Sequence, residues 1–273
     1  MSAQHEGPHA GRVALVTGGS TGIGAGAALV LARQGAAVAV HGLDLDESAA
    51  MAARIREEGG RAIGLAGPIE DPATSVAAVE ATVAEFGRLD TLVTSAGIQT
   101  YGDAVETTDE IWDRTFDVNL KGVFLSCRAA LPHLRQSPAG SIVIVSSVQG
   151  SASQNKVVAY ATTKGALHAM GRSMALDEAE YGVRVNTVSP GSVDTPMLRA
   201  SAALWSDGTP EGAEQNIANW GLMHPLGRVG TIEELGEAIA FLAGPAASFI
   251  TGADVRVDGG LLARVAAVLP DKT

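Results

Sequence analysis

Val13-Ala14-Leu15-Val16-Thr17-Gly18-Gly19-Ser20-Thr21-Gly22-Ile23-Gly24 is the stretch that decides the fold. Its apolar run lacks polar alternation, as suits a strand covered on both faces. A glycine cluster follows, then a helical pattern over 23–34. Glycines let backbone approach a ligand closely, and a helix start offers unpaired N–H groups and the positive end of its dipole. Strand, glycine turn and helix in that order predict a pyrophosphate cradle. The segment Gly18-Gly19-Ser20-Thr21-Gly22 also reads formally as the Gly-x-Ser-x-Gly of a hydrolase elbow. That alternative puts the elbow on the first strand instead of mid-chain, and it leaves the residues described below without a purpose.

The rhythm repeats outward. After 13–17, short apolar runs predict strands at 37–41, 62–66, 91–95, 142–146, 184–189 and 254–257. Helical stretches are expected at 23–34, 46–58, 72–86, 108–134, 157–180 and 231–243. Asp71-Pro72 reads as an N-cap followed by a first-turn proline. Thr107-x-x-Glu110 and Thr231-x-x-Glu234 read as capping boxes. Repeated β-α-β units with right-handed crossovers imply an α/β fold: a doubly wound, parallel, seven-stranded, Rossmann-like sheet in a single domain over residues 12–273. Residues 1–11 are expected to form a flexible tail. Gly7 and Pro8 keep His5 and His9 off a shared helical face. Residues 195–225 break the rhythm. Ligands in such sheets bind beyond the carboxyl ends of the strands, so this segment is expected to be a substrate lid.

Composition excludes several classes. The 273 residues are 46% hydrophobic, enough for one large core, and carry a net charge of −11. That balance speaks against nucleic acid as a partner. Cys127 is the one cysteine, so neither an internal disulfide nor a cysteine metal cage is possible. No apolar run reaches the ~18 residues of a membrane span. The start, MSAQHEGPHAGR, lacks the apolar segment of a secretory signal. A cytoplasmic protein with no membrane segment and no metal is expected.

The glycine turn has the spacing TGxxxGxG. Further along stand Val118-Asn119, Ser146-Ser147, Tyr160-Ala161-Thr162-Thr163-Lys164, Pro190-Gly191-Ser192-Val193-Asp194-Thr195 and Val257-Asp258-Gly259-Gly260. In order and spacing this set resembles the classical short-chain dehydrogenase/reductase family, from about Arg12 to Leu262. The chemistry also reads directly from the residues. Tyr160 and Lys164 are four apart and share a helical face. A nearby ammonium favours the phenolate, which makes Tyr160 a usable acid/base. Ser147 can donate to a substrate oxygen as charge develops there. The resemblance implies the same catalytic set, Asn119, Ser147, Tyr160 and Lys164. In it Lys164 also holds the nicotinamide ribose, and Asn119 anchors a water-linked proton relay. It implies cofactor contacts at Gly18, Ser20, Thr21, Gly22, Ile23, Gly24, Leu43, Asp44, Ile69, Ser95, Ala96, Gly97, Pro190, Gly191, Val193 and Thr195.

The end of the second strand bears on the choice of cofactor. In the family an acid there favours NAD and a base favours NADP. Here the position is Gly42, in His41-Gly42-Leu43-Asp44. Neither Ser20 nor Leu43 is basic, and Asp44 lies two residues on, so a 2′-phosphate would meet a carboxylate and NAD is expected over NADP. Arg12, Arg33 and His41 are the cations that could reverse this. Two further departures stand out. Pro68 replaces the family's adenine-binding Asp, leaving backbone contacts at Ile69. Thr94-Ser95-Ala96-Gly97 replaces Asn-Asn-Ala-Gly, removing an internal scaffold.

Gln149 and Asn155 are expected to bind substrate beside Ser147 and Tyr160, with Gln154, Thr195, Met197, Trp205 and Trp220 as further pocket candidates. His224 is expected to stabilise the lid. The stretch from Ser147 to Tyr160 resembles sugar 1-dehydrogenases and related secondary alcohol dehydrogenases. The expected activity is therefore NAD-dependent hydride transfer from a secondary alcohol or sugar hydroxyl. An NADPH-dependent carbonyl or 3-oxoacyl reductase is one alternative. A non-catalytic dinucleotide-binding regulator is another, and the acid/base set argues against it. Small residues on the helix after Tyr160, together with the resemblance, imply a homotetramer with two isologous interfaces. The apolar stretch 261–269 is expected to be buried in the second.

Overall fold

The computed structural model describes residues 7–264. Seven parallel strands form one sheet in the order β3-β2-β1-β4-β5-β6-β7. They are β1 Val13–Thr17, β2 Ala37–Gly42, β3 Arg61–Ala66, β4 Thr91–Thr94, β5 Ser141–Val145, β6 Arg184–Pro190 and β7 Asp254–Val257. Each lies within a residue of its predicted bounds. β1, β2, β4 and β5 are buried throughout. Ala14 and Val16 enter the core on one face, whereas Leu15 enters the core on the other. This double burial is why their apolar runs do not alternate.

Helices cover both faces: α1 Gly22–Arg33, α2 Leu45–Glu57, α3 Pro72–Phe86, α4 Asp109–Phe116, α5 Gly122–Leu134, α6 Val158–Glu178, α7 Pro196–Leu204, α8 Pro210–Met223 and α9 Ile232–Ala243. Asp71 caps α3 by accepting from Ala73 N, and Thr231 with Glu234 closes a capping box on α9. The other expected box is displaced by one residue. Thr108, not Thr107, caps α4 by accepting from Ile111 N. The helix expected over 108–134 is interrupted by a π-helical turn at Asp117–Lys121.

The segment 195–225 is built largely of two helices that its tryptophans, prolines and Asp207-Gly208 concealed. Thr195 and Thr209 cap α7 and α8, each with proline in the first turn. The tail expectation also needs correction where it is described. His9 is 1% exposed, and its Nε2 donates to the Ala240 carbonyl at 2.9 Å. A buried, bonded imidazole ties Gly7–Gly11 to α9. No described helix is long and apolar enough to cross a membrane.

Strand order reverses between β1 and β4, and their carboxyl ends part there to open a crevice. Beneath it His41, Thr17 and Thr94 align across β2, β1 and β4. Neither ring nitrogen of His41 has a partner, nor has Thr94 Oγ1. Burial pulls the His41 imidazole down to about 4 from 6.5. The unfolded chain therefore binds more protons between those values, and stability falls as pH drops through that window. Going from pH 7 to pH 5 should remove about 2 kcal/mol through His41. Urea unfolding of His41→Leu should show a correspondingly flatter pH slope, and an unchanged slope would contradict this.

Candidate active site

The cradle at the end of β1 is made of backbone. Gly18 has φ of 65°, and a Cβ there would lie 2.5 Å from Ala96 N. A Cβ on Gly24 would overlap the Gly18 carbonyl oxygen. Only glycine allows the turn, the start of α1 and the segment after β4 to approach this closely. Thr21 caps α1 without a side-chain bond, so the first-turn N–H groups face the crevice. A cavity of about 170 Å³ opens there. Gly18, Thr21, Gly22 and Ile23 line one wall, Ser95, Ala96 and Gly97 another, and Tyr160, Lys164 and Thr195 its inner end. Backbone donors, the dipole of α1 and side-chain-free walls fit a pyrophosphate with a nicotinamide reaching inward.

The other cofactor candidates fall differently. Pro190, Gly191 and Val193 line the adjoining larger cavity. Ser20, Gly24, Leu43, Asp44 and Ile69 line neither. Gly24 serves the turn itself. Ile69 is buried, with its side chain close to Gly122 at the start of α5. Leu43 is 72% exposed. Asp44 is the N-cap of α2, its Oδ1 accepting from Glu47 N at 3.0 Å.

The catalytic candidates converge at the junction of the two cavities. Tyr160 and Lys164 project from the first turns of α6, and both are buried. Ser147 caps a short 3₁₀ turn after β5, its Oγ accepting from Gln149 N at 3.1 Å, and both Ser147 and Tyr160 line the larger cavity. Lys164 Nζ donates to the Val145 carbonyl at 3.0 Å and lies 5.6 Å from the centre of the Tyr160 ring. Asn119 occupies the π turn, where the extra residue per turn redirects a side chain. Its Oδ1 accepts from Ile98 N at 2.8 Å, and its Nδ2 donates to Ile98 O at 2.9 Å. That clamp holds the Gly97–Ile98 backbone beneath the cofactor cavity.

The electrostatics correct one expectation. Burial pushes the Tyr160 phenol up to about 12, only partly offset by the Ser147 hydrogen bond. Burial also pulls the Lys164 ammonium down to about 8. Burial is the largest influence on both groups, and it favours the neutral phenol and the neutral amine.

The larger cavity, about 350 Å³, extends from Ser147 and Tyr160 beneath α7 and α8. Gln149, Gln154, Thr195, Met197, Trp205 and Trp220 line it, as read from the sequence. Asn155 does not; it is exposed, because the loop turns outward before α6. His224 is buried beside the cavity. Its Nε2 accepts from Ser192 N at 3.1 Å, so Nδ1 carries the proton and donates to the Trp220 carbonyl at 2.9 Å. It thereby ties the end of α8 to the loop after β6. Sequence reasoning missed Gln99, Tyr101, Ser192, Leu261 and Leu262 on the walls. Ser192 lay inside a motif already read, whereas the others stand in segments without a periodic signal. Gln149 Oε1 is buried with no partner, leaving a free acceptor on the cavity wall. Among the described residues, none that lines it is charged.

Comparison with known proteins agrees with this arrangement. The family model described as "Enoyl-(Acyl carrier protein) reductase" matches residues 18–262. The cis-4-hydroxycyclohexanecarboxylate dehydrogenase of Sinomonas cyclohexanicum is 39% identical over 92% of this chain and 97% of its own. The L-fucose dehydrogenase of Oryctolagus cuniculus is 39% identical over 92% and 85%. The solved aldohexose dehydrogenase of Thermoplasma acidophilum, in ligand-free form, superposes with a TM-score of 0.87 at 34% identity, covering 96% of this chain and 98% of that one. The turn, the Ser-Tyr-Lys-Asn constellation and these matches place the chain in the short-chain dehydrogenase/reductase family.

Proposed function

We propose that this oxidoreductase oxidises a hydroxyl of an uncharged cyclic alcohol or sugar, with NAD as hydride acceptor. The observation that carries the reading is that Tyr160 and Ser147 stand together on the wall of a cavity that, among the described residues, no charged side chain lines. A carboxylate substrate would need a cation there to offset its desolvation. A ring hydroxyl instead finds amides at Gln99, Gln149 and Gln154, and apolar ring faces find Tyr101, Trp205 and Trp220. The unpartnered Gln149 oxygen suits a donating hydroxyl, and a buried acceptor discriminates strongly for one. The names of the fucose and aldohexose relatives support this, whereas the hydroxycyclohexanecarboxylate relative is named for an acid, so the choice of an uncharged substrate rests on the cavity wall.

The nicotinamide supplies the hydride acceptor. Tyr160 Oη takes the hydroxyl proton and Ser147 Oγ donates to the substrate oxygen, steadying the developing charge. The Lys164 ammonium favours the phenolate, and the positive charge of an oxidised nicotinamide held in the adjoining cavity would add to that field. Asn119 holds the Ile98 backbone and anchors the relay behind Lys164. With NAD supplied, a panel of aldoses, polyols and cyclic alcohols should give turnover where hydroxy acids do not. Tyr160→Phe should abolish it while leaving NADH binding within about twofold. Preferential use of hydroxy acids, or more than a tenth of the wild-type rate in Tyr160→Phe, would defeat the proposal.

The preference for NAD rests on the end of β2. Gly42 has no room for a side chain, since a Cβ there would lie 2.6 Å from Ser48 Oγ and 2.7 Å from Ser20 Oγ. The carboxylates stand on the first turn of α2 instead. Glu47 Oε2 accepts from Ser20 Oγ at 3.4 Å, beside the Asp44 cap. The cations that could favour NADP are engaged elsewhere. Arg12 donates to the Ala243 carbonyl, Arg33 pairs with Glu58 at 2.7 Å, and His41 is buried and neutral. Asp44→Asn keeps the cap and removes charge; Glu47→Gln removes charge alone. In direct binding titrations both should raise NADPH affinity relative to NADH, each by about three- to tenfold. An unmoved ratio in both would place the discrimination elsewhere.

We also propose a homotetramer working in the cytoplasm. Phe124 on α5 and Leu176 on α6 are exposed on one face, Phe241 on α9 and Phe249 before β7 on another. Among the described strands, β7 ends the sheet. Two isologous contacts through these faces suit D₂ symmetry. The apolar stretch 261–269 expected at the second contact lies, beyond Arg264, outside the described residues.

A further inference from the structure

We infer that Lys156 is a positioning residue that sets the outer wall of the substrate cavity and the place where the 195–225 segment docks. The inference rests on reading the 350 Å³ cavity as the substrate site.

Among the described residues, Lys156 is the one non-glycine with a positive φ, at 64°. An L side chain is strained there, and glycine would not be. The lysine side chain spans two segments. Its Nζ donates to Asp103 Oδ2 at 2.8 Å and to Glu106 Oε1 at 2.6 Å. The backbone makes the same junction: the Lys156 carbonyl accepts from Gly102 N at 2.8 Å, and Val157 bridges Gly102. One segment carries Gln99 and Tyr101 into the cavity wall. The other carries Ser153 and Gln154 and leads into α6, where Tyr160 stands four residues after Lys156.

The junction extends to the lid. The Tyr101 ring meets Trp205 edge to face, with centroids 5.4 Å apart and planes at 82°. Trp205 caps the end of α7. A path of direct contacts and short backbone therefore runs from Lys156 through Asp103 and Tyr101 to the 195–225 segment. Lys156 does not itself line the cavity. Its ion pairs are solvent-exposed, and such pairs add little to global stability. Their role is to fix one loop against the other, and so the position of Tyr101.

Lys156→Gly separates this role from a merely structural one, because it relieves the backbone strain while removing the clamp. Acrylamide quenching of Trp205, isolated by subtracting Trp205→Phe backgrounds, should rise about twofold in Lys156→Gly. The urea midpoint should be equal or higher. With the best alcohol from the panel, KM should rise about fivefold with kcat within about twofold, and Lys156→Arg should restore both readouts. Unchanged quenching in Lys156→Gly would overturn the inference. So would an unchanged KM, or a fall in kcat that Lys156→Arg does not rescue. Quenching needs no substrate, so failure of the whole panel would count against the proposed function and leave this test standing.

Discussion

Desolvation of Tyr160 and Lys164 is the constraint on which the site depends. Both lie in the first turns of α6, pressed against the carboxyl end of β5, and burial drives each toward its neutral form. A phenol held near 12 is a poor base in neutral solution. The same low-dielectric surroundings strengthen the effect of any charge brought beside it. The proposed chemistry uses both properties: the phenol keeps its proton until positive charge gathers at the junction of the cavities. Ser147 and Asn119 fit this scheme as fixed polar groups, one held by Gln149 N on the cavity wall and the other clamped to the Ile98 backbone.

The sheet presents this junction where β1 and β4 diverge. Gly18 and Gly24 allow three backbone segments to close around a side-chain-free wall. The substrate side is furnished separately, by the loops around Tyr101 and Gln154 and by α7 and α8. The proposed acid/base groups thus gather at the end of β5 and the start of α6, and the proposed substrate contacts come from the loops and helices above them. The uncharged wall and the strained Lys156 junction both belong to the second group.

Much of this was legible in the sequence. The strands could be read because continuous apolar runs require burial on both faces. The cradle and the Tyr160-Lys164 pair could be read because their spacing is tied to strand, turn and helix geometry. What escaped depends on tertiary context. α7 and α8 were hidden by residues that serve as caps and cavity wall, such as Thr209, Pro210 and Trp205. The π turn at Asn119 leaves no mark in local propensity. Asn155 sits beside a cavity residue in sequence but turns to solvent. Glu47 gains importance only because Ser20 and Ser48 crowd Gly42. The rise of the Tyr160 phenol and the fall of the Lys164 ammonium under desolvation could not be read from a four-residue spacing, since burial sets their signs.

The central claim is that burial keeps Tyr160 protonated in the chain alone and that the positive charge of a bound oxidised nicotinamide would lower its pKa. Near-ultraviolet titration of tyrosinate, taken as the difference between wild type and Tyr160→Phe, measures this directly. Without cofactor the Tyr160 signal should rise only toward about pH 12. With saturating NAD⁺ its midpoint should fall by about one pH unit or more. Coincident curves with and without NAD⁺, or ionisation near neutrality in the protein alone, would contradict the account.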